Sequence, residues 1–121
     1  MNFINPTPEQ FKKLMAMDDE GPIVMLNMLK YKPDGGRELY AKYEACAGKI
    51  LSEKIGGRLL QRGDFMMTVI GEEDWDDVFL VEYPSIAAFI ELQRDKEYQA
   101  AVPNRTEALI DSRLYMLARV S

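Results

Sequence analysis

A chain of 121 residues with 47% hydrophobic and 29% charged side chains has the length and balance of one globular domain. Its 20 acidic and 15 basic residues leave a formal charge of −5, which excludes a general phosphate-binding surface, so no nucleic-acid partner is expected. One cysteine and no histidine exclude an intrachain disulfide and the histidine-based triads, and leave almost nothing for a zinc site.

Met1 to Pro6 carries neither a basic region nor an apolar core of a leader, and no apolar run approaches the ~20 residues of a membrane span. A cytoplasmic protein with no membrane partner, no metal and no cofactor is expected. Thr7-Pro8-Glu9-Gln10 has the form of a capping box with proline at the first helical position. Phe11, Leu14 and Met15 follow as a short amphipathic stripe. Asp18, Asp19 and Glu20 oppose the dipole at a helix C-terminus, and Gly21-Pro22 closes the segment. Residues 1–21 are therefore expected to form an accessory N-terminal helix, and 22–121 the domain proper.

Ile23 to Leu29 is apolar except for Asn27, as a central strand covered on both faces would be. Pro33-Asp34-Gly35-Gly36 is a turn. From Arg37 to about Lys54, Tyr40, Tyr43, Ala47, Ile50 and Leu51 recur at helical spacing, and Gly56-Gly57 ends that helix. Arg58 to Gln61 alternates as a strand and is expected to resume at Phe65 to Ile70 after a kink at Gly63-Asp64. Residues 72–77 read as an acidic hairpin loop, with Trp75 able to fold back over a pocket or an edge. Val78 to Tyr83 is a further strand, and Ser85 caps a helix carrying Ile86, Phe89 and Ile90. Asp95 to Ala101 reads as another helical turn that Pro103 breaks, with Thr106 to Ile110 helical again. Arg113 to Val120 alternates as the last strand.

The order, a helix and then β-α-β-β-α-β, predicts an α+β, ferredoxin-like sandwich with the first strand central. Ile23, Met25, Asn27 and Leu29 share one side of that strand, while Val24, Leu26 and Met28 share the other. Helices can cover only one of these faces. The uncovered apolar face predicts a second copy packed sheet to sheet, a homodimer.

Several residues could carry chemistry. An amide such as Asn27 inside a central strand costs about 1–3 kcal/mol if its hydrogen bonds go unmade, so it has a structural partner, a water or a ligand. Arg58 and Arg62 are expected on one face of their strand, suited to a carboxylate or phenolate or else to surface pairs with nearby acids. Tyr40, Tyr43 and Tyr98 are core residues or the lining of a cavity between helices and sheet, and Arg105 is expected near the same mouth as Tyr98. Glu82 is a general base if buried and otherwise an arginine partner. Cys46, between alanines in a helix, reads as a small buried hydrophobe.

The pieces Asn27-Met28-Leu29-Lys30-Tyr31, Gly56-Gly57-Arg58-Leu59-Leu60, Asp74-Trp75-Asp76, Val81-Glu82-Tyr83-Pro84-Ser85, Asp95-Lys96-Glu97-Tyr98-Gln99 and Asp111-Ser112-Arg113-Leu114 stand in one order. Over about residues 22–120 the chain resembles the domain-of-unknown-function 1330 family (DUF1330) of the dimeric α/β-barrel superfamily. The resemblance implies a ferredoxin-like subunit dimerising through its sheet into a barrel. The wider superfamily includes cofactor-free monooxygenases, isomerases, haem-degrading enzymes and binding modules, and some of the monooxygenases place an asparagine on the first strand, where Asn27 stands. Haem-degrading relatives usually ligate iron through histidine, which this chain lacks. The expected function is a small-molecule enzyme, a cofactor-independent monooxygenase or isomerase acting on an aromatic or enolisable substrate. Asn27 would stabilise an oxyanion, Arg62 or Arg105 would hold an anion, and Tyr43 or Tyr98 would orient a ring. A non-catalytic module for a small hydrophobic or acidic metabolite, and a structural dimer with no ligand, are the alternatives.

Overall fold

β1 (Ile23–Tyr31) is the strand around which the rest is arranged. In the computed structural model, which describes residues 2–19 and 21–120, β1 pairs antiparallel with β3 (Asp77–Tyr83) and β4 (Leu109–Ala118), and β2 (Arg58–Asp64) pairs with β3. The four-stranded order β2-β3-β1-β4 is the ferredoxin-like arrangement, with the apolar first strand in the interior as expected. Met1, Glu20 and Ser121 lie outside the described residues, so only Asp18 and Asp19 of the acidic trio are placed.

One face of the sheet is covered by α2 (Gly36–Ile50), α3 (Ile86–Arg94) and α4 (Lys96–Ala108). Ile23, Met25, Leu29 and Tyr31 of β1 are buried on this side, against Tyr40, Tyr43, Ala47 and Ile50 of α2. A π-helical turn, Leu51–Ile55, prolongs α2 and stops at Gly56, whose φ of 80° suits a residue without a Cβ. The next residue must also be glycine, because a Cβ on Gly57 would stand 2.4 Å from Leu51 Cδ1. Ser85 caps α3 by accepting the Ala88 N–H at 3.0 Å. Cys46 is partly buried against the core. No helix among the described residues is long and apolar enough to cross a membrane.

The opposite face carries no helix. Cross-strand pairing places Val24, Leu26 and Met28 of β1, Val78 and Leu80 of β3, and Tyr115 and Leu117 of β4 on it. None of these side chains is buried, and Tyr115 and Leu117 are exposed. At one end Glu82 lies between Arg58 and Arg119, 3.0 Å from each, so the strand carboxylate is an arginine partner.

Four local expectations are corrected. Phe65 to Ile70 is not a strand: Asp64 pairs with Asp77, the first residue of β3, and among the described residues the pairing goes no further than the Phe65 N–H, which donates to Asp76 O at 3.0 Å. Met66 and Ile70 there are 94% and 95% exposed. The irregularity in β2 falls between Leu59 and Gln61 rather than at Gly63-Asp64. This bulge sends Arg58 and Arg62 to opposite faces. Pro103 does not break α4, which runs from Lys96 to Ala108. Proline forfeits one helical hydrogen bond, while Tyr98, Ala101 and Ala108 stay buried along that helix. Finally, Leu109 and Ile110 belong to β4, not to a helix.

α1 (Pro8–Met15) opens with the expected reciprocal capping box, Gln10 N–H to Thr7 Oγ1 at 3.1 Å and Thr7 N–H to Gln10 Oε1 at 2.9 Å. Asp19 serves a different helix from the one that it follows. Its two carboxylate oxygens accept the Ile86 and Ala87 N–H groups at 3.0 Å each, where the positive end of the α3 dipole favours a negative charge.

Candidate functional site

Between the helix-facing side of the sheet, the helices and the N-terminal segment lies a cavity of about 470 Å³. This is within the usual range for a small-molecule site. The sheet contributes Met25, Asn27 and Met116, the helices contribute Tyr40, Tyr43, Phe89, Tyr98 and Arg105, and the N-terminal segment contributes Ile4, Phe11 and Leu14.

Asn27 sits mid-strand on the helix-facing side because its register pairs it with Phe79 and Leu114. Its Nδ2 donates to Met25 O at 3.2 Å. Among the described residues, Oδ1 takes no protein hydrogen bond and Nδ2 keeps a second N–H, so this cavity-lining amide has a donor and an acceptor to spare. Tyr43 on α2 and Tyr98 on α4 meet through their hydroxyls at 2.8 Å. One of the two donates in that pair, which leaves the other's proton for a third partner. The Tyr40 ring lies 5.1 Å from that of Tyr43 and the Tyr98 ring 5.9 Å from it, a continuous aromatic wall. Burial pushes the phenols of Tyr40, Tyr43 and Tyr83 well above their ordinary value, against the opposing charge of Arg105 on the first two. These hydroxyls are neutral donors at physiological pH.

Arg105, on the last turns of α4, donates from Nη1 to Ile4 O at 2.8 Å. Among the described residues no carboxylate lies within ion-pair distance of it. The other lining arginine, Arg113, is held by Asp111 at 2.7 Å and Glu73 at 3.6 Å. Its guanidinium lies between the rings of Phe3 and Trp75, at 4.9 and 5.0 Å. Trp75 thus folds back as a buried plate over an arginine. No carboxylate or imidazole is among the lining residues. The cavity therefore offers an aromatic body, several neutral donors and one uncompensated cation, a setting for a ring-bearing anion.

Of the residues expected to form a site, the structure brings Asn27, Tyr43, Tyr98 and Arg105 to this cavity. It places Arg62 elsewhere. Arg62 Nε and Nη2 grip Asp77 at 3.1 and 2.5 Å, Nη1 reaches Glu44 at 2.5 Å, and the guanidinium lies over Phe79. Tyr31 donates to the same Asp77 at 2.5 Å. Burial pushes the Asp77 carboxyl up, but the bonds from Arg62 and Tyr31 outweigh it and hold the group below its usual value. This is a structural ion-pair cluster, because both carboxylates facing Arg62 are already engaged by it. Sequence reasoning missed Phe89, Gln93 and the N-terminal lining residues. The stripe of Phe11 and Leu14 was the available signal, since an amphipathic helix needs something to face.

The chain matches the family described as "Domain of unknown function (DUF1330)" over residues 35–118. It belongs to the DUF1330 family. A protein of unknown function from Rhodopseudomonas palustris is 42% identical, with 100% of this chain and 99% of that chain covered and a TM-score of 0.93. That match includes the N-terminal segment, which the family match does not reach. More distant structures share the fold. A dimeric ferredoxin-like protein of unknown function from Jannaschia sp. CCS1 is 16% identical over 82% of this chain and 100% of that one, with a TM-score of 0.69. A provisionally named antibiotic biosynthesis monooxygenase from Caulobacter crescentus CB15 is 19% identical over 84% of this chain and 92% of that one, with a TM-score of 0.65. No curated protein matches the chain.

Proposed function

We propose that this DUF1330 protein is a small-molecule enzyme that takes an aromatic or enolisable compound into the cavity as its anion. The observation that carries the proposal is the convergence of Asn27, Tyr43, Tyr98 and Arg105, from β1, α2 and α4, on one cavity with no lining carboxylate. Arg105 holds the anionic oxygen, the phenols donate to it, and the second N–H of Asn27 Nδ2, the one not given to Met25 O, supports charge that develops at a carbonyl. The wall provides no carboxylate or imidazole base, so the substrate must be acidic enough to ionise itself. In an oxygenation, such a substrate would supply all the electrons. A methylene between activating groups, R₂CH₂, would react with O₂ to give R₂C=O and water, with both hydrogens leaving in the water. An isomerisation would use the same stabilised enolate without O₂.

A binding module for the same anion is the second reading, and the lack of a base on the wall favours it. The apolar, helix-free sheet face supports a homodimer as part of the proposal, in keeping with relatives described as dimeric.

Native mass spectrometry of the purified protein tests both assembly and retained ligand. Oxygen uptake and product formation across a panel of ionisable hydroxyaromatics then test turnover. Asn27→Ala is expected to lower turnover by about tenfold or more while the protein stays folded. Unchanged turnover in a folded variant removes Asn27 from the chemistry, and tight binding without product favours the module.

A further inference from the structure

We propose that the N-terminal segment, residues 3–19, is the movable wall of the ligand cavity, and that a bound anion holds it closed through Arg105. The proposal rests on the anion-binding reading above.

The segment's hydrogen bonds to the rest of the chain are confined to its ends. At its start, Phe3 N–H donates to Asp111 Oδ1 at 2.8 Å, Ser112 Oγ donates to Phe3 O at 2.7 Å, and Arg105 donates to Ile4 O. At its end Asp19 accepts two backbone N–H groups of α3. From Asn5 to Asp18, every hydrogen bond among the described residues stays within the segment. α1 buries no residue. Only Ile4, Phe11 and Leu14 are half-buried, and all three line the cavity. Ile4 and Leu14 also touch the edge of the core, yet both stay only half-buried, so the apolar side of this helix faces the ligand space and few contacts hold it without an occupant. Elements with few buried contacts and local hydrogen bonds open first.

Arg105 links the two events. One of its N–H groups holds Ile4, and its others remain available to an anion in the cavity. An occupant that fixes the guanidinium also fixes the tie to the segment, while its ring packs on Phe11 and Leu14. A ligand that contacts both walls binds only the closed form, so it suppresses opening by the factor 1 + [L]/Kd.

Hydrogen-exchange mass spectrometry on the full chain tests this, with 2-naphthoate, an aromatic monocarboxylate, as the probe. In the free protein, α1 amides should exchange faster than those of α2. Asp19→Ala should accelerate α1 several-fold relative to α2. Naphthoate at ten times its Kd should slow α1 exchange about tenfold. Phe11→Ala should weaken naphthoate binding, measured by calorimetry, by about tenfold. Exchange of α1 as slow as α2 in the free protein overturns the proposal. Naphthoate binding with unchanged α1 exchange also overturns it, yet leaves the cavity reading standing. No naphthoate binding at millimolar concentration overturns both.

Discussion

Asp77→Asn isolates the cluster that removes Arg62 from the candidate site. Asp77 is 0% exposed and takes Arg62 at both oxygens and Tyr31 at one. Breaking a buried pair by removing one charge costs about 3–5 kcal/mol. Glu44 still faces Arg62 at 2.5 Å, and the arginine side chain keeps 31% of its exposure, so the cost should fall near the lower limit, about 3 kcal/mol. For a domain of this size that is a loss of roughly 10–15 °C in Tm. The effect has a pH signature. The folded carboxyl lies below its usual value, so its contribution is fully present above the unfolded-state pKa of about 3.9 and fades as pH falls through the lower folded value. The variant should therefore be destabilised at neutral pH and lose less than the parent on acidification below about pH 4. Urea unfolding at neutral pH and along an acid series reads both. A cost under about 1 kcal/mol at neutral pH would refute the assignment of Asp77 as the anchor of this cluster. Arg62→Met should likewise cost stability while leaving the affinity for naphthoate unchanged.

Other outcomes follow from the same geometry. Tyr98→Phe removes the hydroxyl pair with Tyr43 and should lower stability by about 1 kcal/mol and weaken an anionic ligand, read by calorimetry. Leu26→Glu puts a charge in the centre of the helix-free sheet face; sedimentation should show a monomer with an unchanged circular dichroism spectrum, and a persistent dimer would place the interface elsewhere. Gly57→Ala drives a methyl into Leu51 and should cost about 1–3 kcal/mol in urea unfolding.

The folding plan was legible because periodicity carries it. The run at Ile23 to Leu29, the tyrosine stripe at Tyr40 and Tyr43, and the caps at Thr7 and Ser85 each state a local conformation that packing then confirms. Where local rules were applied alone, they failed in specific ways. Pro103 is a breaker by propensity, yet α4 keeps its buried residues by running through it. Phe65 to Ile70 has the apolar residues of a strand, yet among the described residues its backbone pairing stops at the Phe65 N–H to Asp76 O bond. Arg58 and Arg62 share a face only in a regular strand, and a single bulged residue separates them.

Composition and pattern alone determined the ferredoxin-like architecture, the interior position of β1 and the two faces of the sheet, since these follow from side-chain spacing. Tertiary structure decided which polar residues work together. Asn27, Tyr43, Tyr98 and Arg105 are scattered along the chain and meet only because α2 and α4 pack over one face of the sheet. Arg62 and Asp19 each found a partner far away in sequence, Asp77 and the start of α3. A charged side chain's role is set by the charge or dipole nearest in space, and periodicity along the chain does not encode that distance.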